Sequence, residues 1–442
     1  MAGRPRFHFT APSGWMNDPN GTLVHDGVYH LFYQHNPYRP RWGRIHWGHA
    51  TSTDLVHWDH QPVALAPGGG LRERHCFSGC CAIAPDGTPT ILYTRIGVAG
   101  LATLARAGAD QCAAHGSDDL LSWHRYRHNP VLTQSVHDGA RVRHWRDPYV
   151  FRHDGWWWML LAGRERGLPG GSVLLYRGEN LLDWEYRGRL CRGDTSVRRG
   201  LECPNYFGVA DRWVLLISPY GPVRYSVGEF RGERHVGDAW RTFDHGRAFY
   251  ATNTFDDGAR SVVVGWIRGP RGPDWAGCLS LPREVGIAAD GALEIAPVAE
   301  LATLRQEHRR AEAVFGPDAG PVTGIVLEER AAELAASFRL DRPAVCGFEV
   351  RSRAGTHRFA PDLAHATVTS GAESAAMSSA PQPTRVDVRA FLDESVLEVF
   401  VGGRDAFTSV VDLGDATRQE VVPFVSGAAG TARLDVWQLA GI

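Results

Sequence analysis

Five short turns, each between two runs of apolar residues, recur along the N-terminal part of the chain. Asp-Gly between apolar runs is a strong signal for a β-hairpin, and Asp26-Gly27 before Val28-Tyr29-His30-Leu31-Phe32-Tyr33 is the first example. The other four turns contain Asp86-Gly87, Asp154-Gly155, Asp211-Arg212 and Asp257-Gly258. Successive turns lie 46 to 68 residues apart. Strand repeats of this length, with no helical stretch between them, indicate a β-propeller.

A second repeat interleaves with the first one. The pattern Leu-x-x-Trp ends at Trp58, Trp123 and Trp184, and these tryptophans lie 65 and 61 residues apart. The two repeats together predict an all-β chain whose residues 1–293 form a five-bladed β-propeller. A β-sandwich is the competing all-β arrangement, but it does not predict so regular a long period.

The pattern of turns stops at residues 294–312. Leu301, Leu304 and the charged run 305–310 predict a helical linker there. Beyond it, apolar and polar residues alternate in segments such as 345–350 and 395–401. This alternation is typical of two packed antiparallel sheets, so residues 313–442 are predicted to form a C-terminal β-sandwich.

The charge and the cysteines exclude several classes of function. The formal net charge is −2, so the chain has no electrostatic footprint for nucleic acid or for an anionic membrane. All 47 basic residues are Arg, which makes arginine too abundant to indicate a phosphate site by itself. The N-terminus has no apolar signal segment, and the eight Cys show no metal-binding spacing. We expect a cytoplasmic protein with reduced thiols.

Three carboxylates, those of Asp18, Asp147 and Glu202, each lie seven to nine residues before one of the hairpin turns. In the second and fifth repeats the same position holds Phe77-Ser78 and Phe249-Tyr250. The first strand of each propeller blade lines the central channel, so equivalent positions converge near one axis. Buried carboxylates are rare unless they are paired or functional. The sequence therefore predicts that the three carboxylates meet in one funnel.

The neighbours of two of these carboxylates predict their ionisation. Arg146 stands beside Asp147 and is expected to keep that carboxylate charged. Glu202 stands between Leu201 and Cys203, and burial among apolar groups would raise its pKa. One charged and one protonated carboxylate is the division of labour that glycoside hydrolysis needs.

Three motifs carry a resemblance to a known family. Trp15-Met16-Asn17-Asp18-Pro19-Asn20-Gly21, Arg146-Asp147-Pro148 and Glu202-Cys203 resemble the signature motifs of glycoside hydrolase family 32, the β-fructofuranosidases. Further matches follow in the family's order: 32–37, 42–43, 47–50, 77–79, Leu281-Pro282-Arg283-Glu284 and Leu397-Glu398-Val399-Phe400-Val401. The resemblance implies a five-bladed propeller followed by a β-sandwich, as the repeats do.

The resemblance also implies roles for individual residues. Asp18 would be the nucleophile, Glu202 the acid and base, and Asp147 the group that stabilises positive charge in the transition state. Substrate binding would fall to Trp15, Asn17, Gln34, Trp42, Phe77, Ser78 and Arg146. No metal or cofactor is implied. Three positions depart from the family pattern near the expected pocket and concern specificity: Cys80, Leu201 and Asn253.

The expected activity is that of a retaining exo-β-fructofuranosidase acting on sucrose or short fructo-oligosaccharides. Within the same chemistry, a fructosyltransferase or a sucrose-6-phosphate hydrolase is the alternative. Outside it, one alternative is a five-bladed relative acting on arabinose or xylose, which would lack the Trp-Met-Asn-Asp-Pro-Asn and Glu-Cys motifs. The other is a non-catalytic sugar-binding propeller, which would not require all three carboxylates. The expected partner is a small carbohydrate, and the protein is expected to be a monomer or a homodimer.

Overall fold

The computed structural model describes residues 3–68, 72–105, 109–194, 200–378, 384–414 and 418–442. Within these ranges the chain forms 34 strands in six sheets, one short helix (Ala102–Ala105) and two 3-10 helices, Gln134–His137 and Ala299–Leu304. The prediction of an all-β chain is therefore confirmed. No helix in these ranges is long and apolar enough to cross a membrane.

The first 22 strands, between Gly14 and Pro297, form four sheets. They are β1 (Gly14–His25), β2 (Val28–Asn36), β3 (His46–Ser52), β4 (Asp59–Leu65), β5 (Glu73–Ile83), β6 (Pro89–Gly97), β7 (Asp110–Gly116), β8 (Trp123–Arg125), β9 (Arg143–His153), β10 (Trp156–Arg164), β11 (Ser172–Gly178), β12 (Glu185–Arg192), β13 (Glu202–Val209), β14 (Arg212–Ser218), β15 (Arg224–Arg231), β16 (Arg234–Gly237), β17 (Arg241–Thr242), β18 (Phe249–Asp256), β19 (Ser261–Arg271), β20 (Trp275–Leu279), β21 (Arg283–Ile287) and β22 (Leu293–Pro297).

Three of these sheets follow the chain, with strands β5–β8, β9–β12 and β13–β17. The fourth sheet joins β1–β4 to β18–β22, because Gly14 and Trp15 pair in parallel with Trp275 and Ala276. The strands that begin each repeat, β1, β5, β9, β13 and β18, contact one another in that order, and β18 contacts β1. The sheets are therefore arranged around a common axis as a β-propeller.

The hairpin turns lie where the sequence predicts them. Asp26 (φ 50°) and Gly27 (φ 76°) join β1 to β2 in the left-handed region, which a two-residue hairpin loop of type I′ requires. Asp154-Gly155 joins β9 to β10 with the same conformation. The other three turns join β5 to β6, β13 to β14 and β18 to β19. All five predicted hairpins are confirmed.

The three copies of the Leu-x-x-Trp pattern form the same kind of turn. The indole N–H donates to the carbonyl oxygen of the leucine three residues earlier, at 3.1 Å from Trp58, 2.8 Å from Trp123 and 3.1 Å from Trp184. The three leucines are buried. The repeat that was read from the sequence is therefore a structural element of the sheets.

The remaining strands form the predicted β-sandwich. They are β23 (Arg305–Phe315), β24 (Ile325–Leu327), β25 (Ala331–Leu340), β26 (Val345–Ser352), β27 (Gly355–Asp362), β28 (Thr367–Ser370), β29 (Glu373–Ala376), β30 (Arg385–Asp393), β31 (Val396–Val401), β32 (Asp405–Val410), β33 (Gln419–Ser426) and β34 (Gly430–Leu439). Two six-stranded sheets, in the orders β23-β34-β25-β30-β31-β32 and β24-β33-β26-β27-β28-β29, enclose one apolar cluster that includes Phe338, Phe348 and Phe359.

The predicted helical linker is wrong for much of its length. A 3-10 helix covers Ala299–Leu304 and buries Leu301 and Leu304. From Arg305 onward the charged run is strand β23, which pairs antiparallel with β34 at the edge of a sheet. Pairing with a neighbouring strand overrides the weak local preference for helix.

A buried network of charges joins the propeller to the sandwich. His8 lies 2.8 Å from Asp393 (Nδ1 to Oδ2) and 3.0 Å from Glu398 (Nε2 to Oε1). The Arg283 guanidinium donates to Glu398 and, at 2.8 Å, to Asp244. Burial alone would lower the pKa of His8, but its bonds to Asp393 and Glu398 raise it to about 9. Each charge has an opposite partner, which is what makes their burial tolerable.

Candidate active site

Each of the five strands around the propeller axis has a shift in its pairing register, and the five shifts lie at equivalent places in the repeats. In four of them two residues face one residue of the partner strand: Asn17-Asp18 in β1, Phe77-Ser78 in β5, Asp147-Pro148 in β9 and Cys203-Pro204 in β13. In β18 the extra residue is Ala251. A β-bulge bends the strand and changes the direction of its side chains. Asp18 and Asp147 lie within these bulges, and Glu202 directly precedes the bulge in β13.

Asp18 is held by side chains from three strands. Its Oδ1 accepts a hydrogen bond from Asn17 Nδ2 at 2.9 Å, and its Oδ2 accepts one from Ser78 Oγ at 2.7 Å. The Cys203 thiol lies 3.5 Å from the same Oδ2. Burial and the negative charge of Glu202 raise the pKa of Asp18, while these hydrogen bonds oppose the shift. The carboxylate is thus fixed in position and close enough to Glu202 to feel its charge.

Asp147 is the most enclosed of the three carboxylates. Its side chain is 6% exposed, compared with 24% for Glu202. Its backbone has φ 62°, and its Oδ2 accepts a hydrogen bond from the Cys203 backbone N–H at 2.9 Å. Burial raises the pKa of Asp147 to about 7, although Arg146 opposes the shift. The expectation for Asp147 considered only Arg146, whereas burial has the larger effect on the pKa of this carboxyl.

Arg146 instead makes its closest contact with Glu202. Its Nη2 donates to Glu202 Oε1, whereas its Nε lies 3.5 Å from Asp147 Oδ2. Glu202 also accepts a hydrogen bond from the Tyr250 hydroxyl at 2.6 Å and one from the Tyr220 hydroxyl at 3.1 Å. The expected apolar surroundings of Glu202 are therefore wrong: the carboxylate has a cation and two phenols as partners.

Tyr250 and Tyr220 are site residues that the sequence analysis did not assign. In the fifth repeat, Phe249-Tyr250 holds the position that is equivalent to those of the three carboxylates. This equivalence could have identified Tyr250 as a site residue. Its hydroxyl also lies 3.0 Å from the Ser218 carbonyl oxygen, and the Arg268 guanidinium lies 4.6 Å from its ring centroid. Tyr220 follows a strand end and has φ 60°. Nothing in the local sequence marks Tyr220 for this contact.

The residues expected to bind substrate fall into two groups. Trp15 Nε1 donates to Asn17 Oδ1 at 2.6 Å, so this pair supports Asp18 through Asn17. Gln34 is buried, lies opposite the bulge in β1, and donates from Nε2 to the Cys76 carbonyl oxygen at 3.0 Å. The Gln34 side-chain amide nitrogen thus already donates a hydrogen bond to the protein backbone.

The second group is a set of aromatic rings beside Ser78. Trp42 is 40% exposed and stacks on His75 with the ring centroids 4.9 Å apart. Phe77 meets the Trp42 ring edge-on at 6.1 Å. Exposed aromatic faces of this kind suit the apolar faces of sugar rings, and Phe77 brings them next to the bulge that carries Ser78.

The three departures from the family pattern have different surroundings. Leu201 and Cys80 are buried in apolar clusters. Asn253 accepts a hydrogen bond from Thr22 Oγ1 at 2.8 Å, and its Nδ2 lies 3.3 Å from the Pro19 carbonyl oxygen. Asn253 therefore links β18 to β1.

The site as a whole holds three carboxylates against one guanidinium. Burial is the largest cause of the raised pKa of Asp18 and of Asp147, and the negative charge of Glu202 adds to both shifts. Such an arrangement can supply a nucleophile, a proton donor and a negative charge within one pocket. In the described residues no group of three or more His, Cys, Asp or Glu side chains is placed to hold a metal ion.

Comparison with known families agrees with the motifs. The family model described as "Glycosyl hydrolases family 32 N-terminal domain" matches residues 8–297. The model described as "Glycosyl hydrolases family 32 C terminal" matches residues 327–438. The two matches fall on the propeller and on the sandwich.

Curated relatives cover nearly the whole chain. A sucrose-6-phosphate hydrolase of Escherichia coli is 32% identical, over 98% of this chain and 94% of the relative. A raffinose invertase of Escherichia coli is 32% identical, over 92% of this chain and 88% of the relative. A levanase of Bacillus subtilis is 29% identical, over 93% of this chain and 66% of the relative.

Solved structures share the fold. A β-fructofuranosidase from Bombyx mori superposes with a TM-score of 0.81 at 28% identity, covering 99% of this chain and 94% of that one. A fructan 1-exohydrolase from Cichorium intybus superposes with a TM-score of 0.85 at 24% identity, covering 99% and 97%. The predicted family resemblance is thus confirmed, and the chain belongs to glycoside hydrolase family 32 and is a glycoside hydrolase.

Proposed function

We propose that the protein is a retaining exo-β-fructofuranosidase that releases terminal fructose from sucrose or short fructo-oligosaccharides. The observation that carries the proposal is that two carboxylates meet at the propeller axis: Asp18, whose two oxygens are held by Asn17 and Ser78, and Glu202, whose negative charge adds to burial in raising the pKa of Asp18. Retaining glycosidases use two such carboxyl groups, one as nucleophile and one as acid and base. The names of the curated relatives, a sucrose-6-phosphate hydrolase, an invertase and a levanase, support the choice of a fructoside.

In this proposal Asp18 attacks the anomeric carbon of the fructofuranosyl unit. Asn17 and Ser78 hold its two oxygens and so fix the direction of attack. The bond to the leaving oxygen breaks as Glu202 donates a proton to that oxygen, which leaves a fructosyl ester on Asp18. Glu202 then removes a proton from water, and the water cleaves the ester with return of the Asp18 carboxylate.

Asp147 has a separate role in the proposal. It lies deepest in the cluster, where its charged form stabilises the positive charge that develops on the sugar in the transition state. Arg146 bridges from Asp147 to Glu202 and holds the proposed acid in place. Tyr250 and Tyr220 complete the set of donors around Glu202.

We also infer that the propeller has five blades. The support is the closed ring of contacts among β1, β5, β9, β13 and β18, and the irregularity that each of these strands carries at the same station. In this count the nine-stranded sheet contains two blades, joined where β1 pairs with β20.

Product analysis tests the proposed function. Incubation with sucrose should release glucose and fructose in equal amounts. A large excess of glucose with growth of longer fructosides would indicate the fructosyltransferase instead. Binding of sucrose with no release of either sugar would indicate the non-catalytic sugar-binding propeller. A panel of sucrose, sucrose 6-phosphate, inulin-type and levan-type oligomers then ranks the substrates by kcat/KM.

A further inference from the structure

The backbone of Asp147 has a conformation that its sequence does not favour. Its φ is 62°, and residues other than glycine rarely adopt a positive φ because the Cβ atom crowds the backbone. The next residue is Pro148, and a residue before proline prefers the extended region. Such a conformation persists only where contacts of the folded protein impose it. The contacts that hold the Asp147 backbone therefore matter for the direction of its carboxylate.

Thr94 accepts the hydrogen bond of the Asp147 backbone N–H. The pairing of β9 with β10 is interrupted between Arg146 and Tyr149, so Asp147 lies in the bulge. Its N–H donates to Thr94 Oγ1 at 2.9 Å. Thr94 is fully buried and belongs to β6, in the neighbouring sheet. A side chain of another sheet thus satisfies the backbone donor in the bulge.

Gln111 fixes the direction of the Thr94 hydroxyl. The two residues are directly opposite on β6 and β7, and Thr94 Oγ1 lies 2.7 Å from Gln111 Oε1. Gln111 Nε2 faces the Trp145 carbonyl oxygen at 3.4 Å, and a carbonyl can only accept, which determines how the amide is oriented. The Thr94 hydroxyl must then donate to Gln111, and its oxygen is left to accept from Asp147. The series of hydrogen bonds begins and ends on β9.

The carboxylate of Asp147 is held from the opposite side. Its Oδ2 accepts a hydrogen bond from the Cys203 backbone N–H at 2.9 Å, and Cys203 belongs to β13. Strands β5 and β13 contact β9 from the two neighbouring sheets. Thr94 thus holds the backbone of Asp147 from one neighbouring sheet, and Cys203 holds its side chain from the other.

We propose that Thr94, oriented by Gln111, is a positioning residue that holds the Asp147 backbone so that the carboxylate points at the reacting sugar. This inference rests on the proposed function, in which the charge of Asp147 stabilises the transition state. A charge acts there only if it is placed accurately before the reaction. Loss of the Thr94 hydroxyl should therefore lower kcat and leave KM nearly unchanged.

Three variants of β6 test the role of the hydroxyl. Thr94→Val removes it at nearly constant volume and should lower kcat for sucrose by about 10- to 100-fold, the cost of a small misplacement in an active site. Thr94→Ser keeps the hydroxyl and should restore most of kcat. Thr90→Val is the matched control, because Thr90 is buried on the same face of β6 and its hydroxyl donates to the Thr88 carbonyl oxygen at 3.2 Å. Equal kcat values for Thr94→Val and Thr90→Val would overturn the proposal.

A double-mutant cycle separates positioning from a general loss of structure. In an Asp147→Asn background, Thr94→Val should lower kcat by less than about 3-fold, because the group that Thr94 positions is already inactive. The same fold loss in both backgrounds would show that Thr94 does not act through Asp147, and it would overturn the proposal. Melting temperatures of Thr94→Val and Thr90→Val should be similar, since each variant loses one buried hydroxyl.

Gln111→Leu gives a second test that leaves Thr94 in place, and it applies even if Thr94→Val does not fold. The Thr94 hydroxyl loses the acceptor that orients it, so kcat should fall by about 2- to 10-fold, as for one weakened hydrogen bond. A wild-type kcat for Gln111→Leu would contradict its part in the proposal.

Hydrogen–deuterium exchange separates this inference from the proposed function, because it requires no turnover. The peptide that contains Asp147 should exchange faster in Thr94→Val than in the wild-type protein or in Thr90→Val. Unchanged exchange of this peptide would overturn the positioning role, whatever the activity. Faster exchange, in a protein whose Asp147→Asn variant keeps the wild-type kcat, would support the contact of Thr94 with Asp147 and contradict the catalytic role proposed for Asp147.

Discussion

Arg146 precedes Asp147 in the chain, yet its guanidinium Nη2 donates to Glu202, which lies on a different sheet. The bulge at Asp147 and Pro148 bends β9, so the side chains of Arg146 and Asp147 point in different directions. Arg146 is itself buried and lies 3.5 Å from Asp147 Oδ2 through its Nε. One guanidinium thus spans both carboxylates, which sets the geometry of the proposed acid.

Replacing Arg146 by lysine should therefore be far from conservative. A single ammonium group cannot reach Glu202 and Asp147 at once as the planar guanidinium does. We expect Arg146→Lys to lower kcat/KM for sucrose by about 100-fold or more, as loss of a charge-stabilising donor does in other active sites. Arg152→Lys on the same strand is the control and should leave kcat/KM near the wild-type value. An Arg146→Lys enzyme with more than half of the wild-type kcat/KM would contradict this role.

The raised pKa of Asp147 predicts how stability depends on pH. Its pKa is about 7 in the folded protein and 3.8 for an unperturbed side chain, so the folded state binds the proton more tightly. The stability contributed by the neutral carboxyl is complete below about pH 4 and is lost as the pH rises to about 7. Asp147→Asn removes this loss. We expect the variant to be more stable than the wild-type protein at pH 8 by at least about 1 kcal/mol, the equivalent of one pKa unit.

Thermal unfolding at pH 4.5 and pH 8 measures this difference. Asp154→Asn is a matched control in the same hairpin, since the Asp154 side chain is 83% exposed and should change stability little at either pH. Equal effects of Asp147→Asn at the two pH values would show that burial does not control the ionisation of Asp147. For Asp147→Asn, the fold decrease in kcat should exceed the fold increase in KM, because the charge of Asp147 acts on the transition state.

The network between the propeller and the sandwich predicts a large loss of stability when one partner is removed. Glu398→Ala leaves Arg283 and His8 buried without their shared carboxylate. Breaking a buried ion pair in this way costs about 3–5 kcal/mol. Asp290→Ala removes a carboxylate from the surface pair with Arg404 and is expected to change the melting temperature little. Similar melting temperatures for the two variants would contradict the structural role of the network.

Local signals in the sequence predicted more of the fold than of the electrostatics. The Asp-Gly turns and the Leu-x-x-Trp pattern depend on hydrogen bonds within a few residues, so they can be read from the chain alone. The family motifs that contain Arg283 and Glu398 were also visible, although their pairing across the interface was not. The strand from Arg305 to Phe315 was missed because its pairing partner, β34, lies at the far end of the chain.

The partners of the three carboxylates could not be predicted from their neighbours in the sequence. Tyr250 reaches Glu202 because β18 contacts β13 at the propeller axis, and Tyr220 reaches it from the segment that follows β14. The expectation for Asp147 counted Arg146 as its partner and left out the degree of burial, which controls the pKa. The position of Asp18 beside Ser78 followed from the aligned hairpins, since both residues occupy the same station of successive repeats.

The proposed two-step mechanism predicts how losses of activity combine. Asp18→Ala and Glu202→Ala should each remove nearly all turnover of sucrose, by roughly 1,000-fold or more, while circular dichroism remains that of the folded protein. Because both residues serve one mechanism, the double variant should be little worse than either single variant. Fully additive losses in activation free energy would contradict a shared mechanism, and so would near-normal turnover of Asp18→Ala.

The stereochemistry of the first product tests the central claim most directly. A covalent fructosyl-Asp18 intermediate requires two inversions at the anomeric carbon, and hence net retention. NMR spectra recorded during hydrolysis of sucrose, before mutarotation, should show β-fructofuranose as the first-formed sugar. Initial appearance of α-fructofuranose would mean that water attacks the substrate directly, and it would contradict the assignment of Asp18 as the nucleophile.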